Sequence, residues 1–453
     1  MRILQNFILS HATKIIPSPV SLAPLNSSNV QIRWKRKPAN TAQTRLQDRT
    51  RDPRLDHLTK NFIRLNRIIN LHSLISSRKR GPFVSVQFLS RLSPHVGLNA
   101  VPIGVFLRKY PHIFEVFSHP VKRTPCSKFT PTFLGLLKEE NDVICGLEIE
   151  SVTRITKILL MSINGSIHMH ALRLTRKELG LPENFRESII LKYDNIFRLI
   201  DLEIVEIVDR DIKQINDDKS LLGVAEVEKW REIEYRERWL SEFEVKYAFP
   251  MNFPTGFKKE AGFKEKLRNW QRLNYVKPYE KIEAVRVRTC GGFERYEKRA
   301  VGIIHELLCL TVEKMLEVQH LTHFRKDLGI EVNIRELLLK YPGIFYLSIK
   351  GNTQIVFLRE AYTNGCLIEA NPIYAIRKKV LDLILFGSRS TKKLRAENKT
   401  SGEGCDAAVI ENEIQTSEGG FVIPILESYL DSRHDENPHQ DIDYQRNSER
   451  SKR

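Results

Sequence analysis

The sequence has 453 residues, 41% of them hydrophobic, and a formal charge of +17. That is enough apolar material for two or three folded cores and excludes a wholly disordered chain. The excess charge sits at one end. Residues 1–128 carry 22 Lys or Arg against only Asp48, Asp52, Asp56 and Glu115, leaving the other 325 residues with 50 basic and 51 acidic groups. No apolar run approaches the roughly 18 residues of a membrane span. A concentrated positive end without a span points to a polyanion, and nucleic acid fits best.

Residues 1–47 contain no Asp or Glu and are rich in Ser and Asn, with Arg2, Lys14 and the apolar Ile3, Leu4, Phe7 and Ile8 on one side of a short helix. This is the composition of an organelle transit peptide, placed at 1–40. From Leu58 to Ile75, the positions Leu58, Phe62, Leu65, Ile69 and His72 recur at helical spacing and predict a buried stripe. Lys60, Arg64 and Arg67 follow the same spacing on the opposite side, a basic ridge able to track phosphates. Arg51, Arg54, Arg78, Lys79, Arg80, Arg108, Lys109, Lys122 and Arg123 extend that surface. They lie where few acidic partners can neutralise them.

Three distant segments share one pattern: Leu107–Phe114 (LRKYPHIF), Leu191–Phe197 (LKYDNIF) and Leu338–Phe345 (LLKYPGIF). Gly97, Gly180 and Gly329 precede Tyr110, Tyr193 and Tyr341 by 13, 13 and 12 residues. Each copy therefore predicts a helix ended by a left-handed glycine, a second helix turning Leu, Tyr, Ile and Phe inward, and then extended chain. The aromatic residues Tyr110, Tyr193, Tyr341, Phe114, Phe197 and Phe345 suit core packing better than base stacking. In the third copy Phe345–Ile349 and Gln354–Arg359 flank a Lys350-Gly351-Asn352 turn, which predicts a hairpin. The tyrosines are 83 and 148 residues apart, which excludes a helical-pair array of roughly 33–35-residue repeats.

The predicted fold class is α+β, mainly helical, with three related helix–helix–hairpin units at about 55–135, 150–215 and 295–385 that are winged-helix-like by analogy of fold alone. Between the second and third units lies a charged helix, Val224–Val245, and then a Phe-Pro connector within 224–280, where a domain junction is expected. From about Ser388 to the end, residues 388–453 lose their apolar period and read as a disordered tail.

Enzymatic signals are absent. His305-Glu306-Leu307-Leu308-Cys309 lacks the second His of a zinc-protease helix, and His168 with His170 and His320 with His323 have no Cys or carboxylate set to complete a metal site. The six cysteines, at 126, 145, 290, 309, 366 and 405, contain no close pair. There is no phosphate-binding glycine loop and no nucleophile elbow. No catalysis, metal or cofactor is expected.

The string Arg51-Asp52-Pro53-Arg54-Leu55-Asp56, the three tyrosine motifs, Trp270-Gln271-Arg272-Leu273, His320-Leu321-Thr322-His323-Phe324-Arg325-Lys326, Pro342–Tyr346 and Val356–Tyr362 together resemble the plant organelle RNA recognition domain. The similarity runs from about Arg49 to Leu385, placing the domain at 45–385, and departs from the pattern at Asp194, where the other copies have Pro. The resemblance implies binding to organellar RNA, most often group II intron transcripts, as a non-catalytic splicing accessory that works beside other splicing factors. The leader, together with Gln43-Thr44-Arg45-Leu46 and Gly81-Pro82-Phe83-Val84-Ser85, is similar to mitochondrial members of the What's This Factor type, with the chloroplast as the alternative. Competing readings are a ribosome-associated RNA-binding assembly protein and a winged-helix DNA-binding regulator.

Overall fold

The computed structural model describes residues 45–400 apart from 48, 79–80, 82, 99–101, 211–221, 259–260, 281–291 and 352, with the backbone alone for 388–400. The predicted transit peptide, Lys79 and Arg80, and the predicted tail beyond Thr400 lie outside the described residues. Two compact units divide at Leu394, and the three repeats with their sheets and cores all belong to the first, Met1–Leu394.

The repeats fold alike. In the first, helix α1 (Pro53–Ser76) leads to a short strand β1 (Phe83–Ser85), helices α2 (Val86–Leu92) and α3 (Ile103–Lys109), and a hairpin of β2 (Phe114–Ser118) and β3 (Pro125–Phe129). After α4 (Pro131–Gly146), the second has α5 (Glu148–Met161), β4 (Ser166–His168), α6 (Met169–Leu174) and the hairpin β5 (Phe197–Ile200) and β6 (Ile204–Ile207). Among the described residues three helices intervene: α7 (Glu226–Arg238), α8 (Glu242–Val245) and α9 (Phe263–Arg272). The third repeat has α10 (Gly292–Leu310), β7 (Met315–Glu317), α11 (Val318–His323), α12 (Ile334–Lys340) and the hairpin β8 (Phe345–Ser348) and β9 (Ile355–Leu358). A small ladder, β10 (Tyr362–Thr363) with β11 (Cys366–Leu367), precedes the last helix, α13 (Pro372–Thr400). The fold is thus α+β and mainly helical, as the sequence predicts.

Each repeat closes an antiparallel three-stranded sheet in the same order, β1-β3-β2, β4-β6-β5 and β7-β9-β8. The leading strand of each sheet is three residues long, too short for alternation to show in sequence. The glycines behave as predicted: Gly97, Gly180 and Gly329 have φ of 72°, 64° and 65°. Each N–H, with that of the next residue, returns to carbonyls three and five residues back, and so closes the preceding turn. The Tyr110, Tyr193 and Tyr341 carbonyls accept from the amides three and four residues ahead in all three copies, which swings the chain from helix into strand. Where Asp194 replaces proline, the preceding helix is one wide π turn, Arg186–Ile190, yet the Tyr193 bonds persist.

Gly180 has a second constraint, because a Cβ there would lie 2.8 Å from Val312 Cγ2 and 2.9 Å from Ile373 Cδ1. Gly180→Ala is therefore expected to cost more than the roughly 1–3 kcal/mol of a left-handed non-glycine residue alone, measured by urea denaturation.

Helix α1 departs from the predicted single stripe. Leu55, Leu65, Ile68 and Leu71 are buried, whereas Leu58, Phe62, Ile69 and His72 are half-buried. The reason is that α1 has several neighbours along its length. Its N-terminal end packs on the third repeat, where Leu55 joins Met315, Tyr346, Ile355, Phe357 and Tyr362. Its C-terminal half enters the first-repeat core with Leu107, Ile113 and Phe133. Helix α13 spans the same gap by sending Val380 and Ile384 into that first core. The second and third repeats share one larger core.

Arg377 of α13 joins these elements. Its Nε donates to Glu140 of α4 at 2.8 Å, Nη1 to Glu313 at 3.2 Å and Nη2 to the Lys177 carbonyl at 2.8 Å. All three charged side chains are buried. Burial raises the Glu313 pKa, and Arg377 opposes the rise.

The segment 226–280 differs from the sequence reading in two respects. The charged helix is not continuous to Val245. It stops after Arg238, where Trp239 takes φ 50°, and resumes at Glu242. Nor does the Phe-Pro stretch mark a domain junction, because Phe249 is buried in the shared core and Asn252 N–H donates to the Gly343 carbonyl at 2.8 Å. Lys298 of α10 fastens this segment. Its fully buried ammonium donates to the carbonyls of Trp270 (2.6 Å), Gln271 (3.0 Å) and Leu273 (2.8 Å) at the end of α9, where Trp270 also accepts from the Leu273 amide at 3.2 Å. The rings of Trp270 and Tyr275 stand 4.8 and 5.2 Å from the nitrogen. Helix α13 runs past Ser388, where the tail is predicted to begin, as far as Thr400.

Candidate nucleic-acid interface

The first repeat holds most of the predicted surface, and its local chain explains why. Asp52 caps α1, its carboxylate accepting from the amides of Arg54 and Leu55, with Pro53 at the first helical position. Once α1 has turned its apolar side chains inward, Lys60 is left exposed, and Arg64 and Arg67 lie along the margin, half-buried. Arg64 donates to Asn61 at 3.3 Å, and Arg67 Nε passes 4.0 Å from the position of a Cβ on Gly97. Both sit near the end of α3. Burial raises the Tyr110 pKa while the positive fields of Arg64 and Arg67 pull it down, and Lys109 Nζ lies 5.8 Å from the same ring. Arg64, Arg67 and Lys109 therefore surround Tyr110, with Arg108 exposed beside them.

Lys122 and Arg123 occupy the exposed β2–β3 hairpin tip, where Arg123 takes φ 49° and its amide donates back to the His119 carbonyl. Among the described residues no acidic side chain pairs with Lys60, Arg108, Lys122 or Arg123, so their charge is presented to solvent. Arg78 lies at the far end of α1, its guanidinium 3.9 Å over the Phe88 ring.

Two candidates face elsewhere. Arg51 lies 3.8 Å from Asp56, and Arg54 donates to Asn364 of the third repeat. The Arg51–Asp56 string is thus the docking end of α1. Asp56 accepts from Tyr346 Oη (2.9 Å) and Ser348 Oγ (2.6 Å), and Asp52 pairs with the buried Arg359 at 3.5 Å. Tyr110 is buried and Tyr193 and Tyr341 half-buried, while Phe114, Phe197 and Phe345 are all buried, so the motif aromatics pack as core.

The sequence reading missed a second group of aromatics. Phe83, 43% exposed, lies 6.0 Å from Phe117 and 5.5 Å from His119, and Lys128 Nζ stands 5.8 Å from the Phe117 ring. This is an aromatic patch next to the tip that carries Lys122 and Arg123, with Lys128 at its edge paired to Glu115 at 3.1 Å. The usable signal was the β1–β3 pairing that sets Phe83 opposite Lys128, a long-range register that one sequence does not reveal.

The polar groups outside the first repeat are mostly consumed internally. His305, Glu306 and Cys309 place ligand atoms within 4.8 Å of one another. Glu306, however, already accepts from Tyr279 Oη (2.7 Å) and the Glu226 amide (2.8 Å) beside Lys157 at 3.6 Å. His305 pairs with Glu360 at 2.6 Å. Burial opposes the imidazolium, but Cys309 and Glu360 outweigh it and raise the His305 pKa. This is a satisfied polar network rather than an open coordination site. His168 pairs with Asp327 at 3.0 Å, and His320 with Glu178 at 3.2 Å. Among the described residues no helix is long and apolar enough to cross a membrane.

Residues 50–389 match the plant organelle RNA recognition domain. The chain is 37% identical over 358 residues to Root Primordium Defective 1 of Arabidopsis thaliana, covering 78% of this chain and 87% of that protein. It is 28% identical over 353 residues to the chloroplastic What's This Factor 1 homolog of Oryza sativa subsp. japonica, covering 77% and 67%. It is also 28% identical over 336 residues to the mitochondrial What's This Factor 9 of Arabidopsis thaliana, covering 74% and 84%. No solved structure matches it. A match that takes in all three tyrosine repeats, α1 and most of the described fold makes the chain a member of the plant organelle RNA recognition family.

Proposed function

We propose that this protein binds mitochondrial transcripts through its first repeat and promotes group II intron splicing as a non-catalytic accessory. The observation that carries this reading is the set of first-repeat cations Lys60, Arg108, Lys122 and Arg123, unpaired among the described residues, together with the Phe83–Phe117–His119 patch next to the Lys122–Arg123 tip. Cations neutralise phosphates where RNA helices must approach, and exposed rings hold unpaired bases apart from wrong partners. The intron supplies the chemistry. Each repeat has a leading helix, a strand, two helical turns and a hairpin whose last strand lies beside the first, and this supports a winged-helix reading. On that reading the Lys122–Arg123 tip is the first wing. The basic leader favours mitochondria over chloroplasts.

Crosslinking and sequencing in isolated mitochondria should recover intron RNA; recovery of none would end the splicing reading, and co-sedimentation with ribosomes would favour the assembly role. In vitro, replacing Lys60, Arg108, Lys122 and Arg123 together by Gln should reduce the slope of log affinity against log salt for single-stranded RNA by about 2.8 without lowering the melting temperature. An unchanged slope would refute this placement of the surface.

A further inference from the structure

The segment between the second and third repeats makes a second charged site. Helices α7, α8 and α9 enclose a cleft of about 420 Å³ whose walls include Trp230, Lys264, Leu267, Arg268 and Arg272, with Glu244 as the one acidic lining residue. Lys264, Arg268 and Arg272 recur every four residues and so stand in a row about 6 Å apart along one face of α9. The same face at Leu267 and Gln271 completes the spacing of a helix built to be covered. No residue of α9 is buried, and Lys264 and Arg268 are exposed without an acidic partner among the described residues. Arg272 is shared between Glu244 at 3.3 Å and the Phe243 ring at 4.8 Å. Counting charges on the walls leaves two cations in excess.

The row is held in place. Gln271 donates to the Phe249 carbonyl at 2.9 Å and accepts from its amide at 2.7 Å, and Lys298 grips the last carbonyls of α9. A preorganised row of cations facing a half-buried indole combines what an unpaired nucleic-acid strand requires: charges spaced along a line for successive phosphates and a flat apolar face for a base. An acidic peptide would use the cations but has no need of the indole.

We infer that this cleft takes a short unpaired stretch of RNA, with phosphates along Lys264, Arg268 and Arg272 and a base against Trp230. The inference rests on the RNA-binding function proposed above and adds a contact remote in sequence from the basic end. It gives the charged insertion a role that its near-neutral composition conceals.

The test uses the full chain with a 4-thiouridine-labelled oligouridylate and a duplex RNA of equal length. Lys264→Gln with Arg268→Gln should lower the salt slope for the unpaired probe by about 1.4, leave the duplex slope unchanged and leave the melting temperature unchanged, since both side chains are exposed. Crosslinks in the parent chain should map to 230–272. An unchanged slope with crosslinks confined to 45–130 overturns the cleft assignment while leaving RNA binding intact. Competition by polyglutamate with no crosslink at 230–272 overturns it in favour of an acidic peptide. A parent chain that binds neither RNA overturns the RNA reading itself, and the cleft assignment with it.

Discussion

Replacing Arg377 by Met is expected to cost about 3–5 kcal/mol of folding stability. The guanidinium is the shared counter-charge of Glu140 and Glu313, and its removal leaves two buried carboxylates facing one another with no ion-pair partner. The Lys177 carbonyl also loses its donor. The loss should be pH-dependent in a defined sense. Burial already raises the Glu313 pKa, and without Arg377 it rises further. A carboxylate whose folded-state pKa lies above its unfolded value binds protons more readily when folded, so protonation favours the fold. The deficit of Arg377→Met should therefore narrow as pH falls from 8 to 5. Urea denaturation at both pH values measures it, and a deficit that widens at pH 5 would rule out uncompensated charge as the cause.

Lys298→Met should cost about 3 kcal/mol, because three half-buried carbonyls at the end of α9 lose the ammonium together and only that of Trp270 keeps a second donor, the Leu273 amide. The lost charge partly offsets this. Burial is the main influence on the Lys298 ammonium and brings its pKa down to about 7, with the neighbouring Arg231 pushing the same way. An unfolded lysine keeps its proton to about pH 10.4. Between pH 7 and that value the unfolded chain binds more protons, so the parent protein gains stability as pH rises through this window. Lys298→Met should abolish that gain, and calorimetry at pH 7 and 9.5 compares the two slopes. Loosening α9 should also weaken oligouridylate binding at the cleft, whereas duplex binding by the first repeat should persist.

Much of this molecule could be read from one sequence, and the features that could not share a cause. The glycine-to-tyrosine spacing fixed where each helical pair ends, because a left-handed glycine and the Tyr carbonyl acting on the next turn are local events. The hairpin at Phe345–Leu358 was visible for the same reason. What escaped were features created by distant chain. The stripe on α1 was predicted from Leu58, Phe62, Leu65, Ile69 and His72, and the third repeat and α13 widened it. Arg51 and Arg54 looked like free cations until Asp56 and Asn364 were placed beside them. Net charge hid the α9 row, since of the acids that balance it numerically only Glu244 lines its cleft. The basic end itself was legible because so few acids lie near it in sequence.

The anchoring of α1 also bears on how the protein matures. Asp56 meets Tyr346 and Ser348 across 290 and 292 residues, and the first-repeat core is completed by Val380 and Ile384. The chain that presents the Lys122–Arg123 tip therefore cannot reach its final packing until nearly all of the domain has been delivered, whether by a ribosome or through a translocation channel. Contacts of such long sequence separation form slowly, because loop closure must precede their reward. A chain truncated before Pro372 should retain a folded pair of later repeats around their shared core while the first repeat opens to protease. The end proposed to face RNA would thus be finished last, which keeps an unfinished chain from holding RNA in a rigid grip.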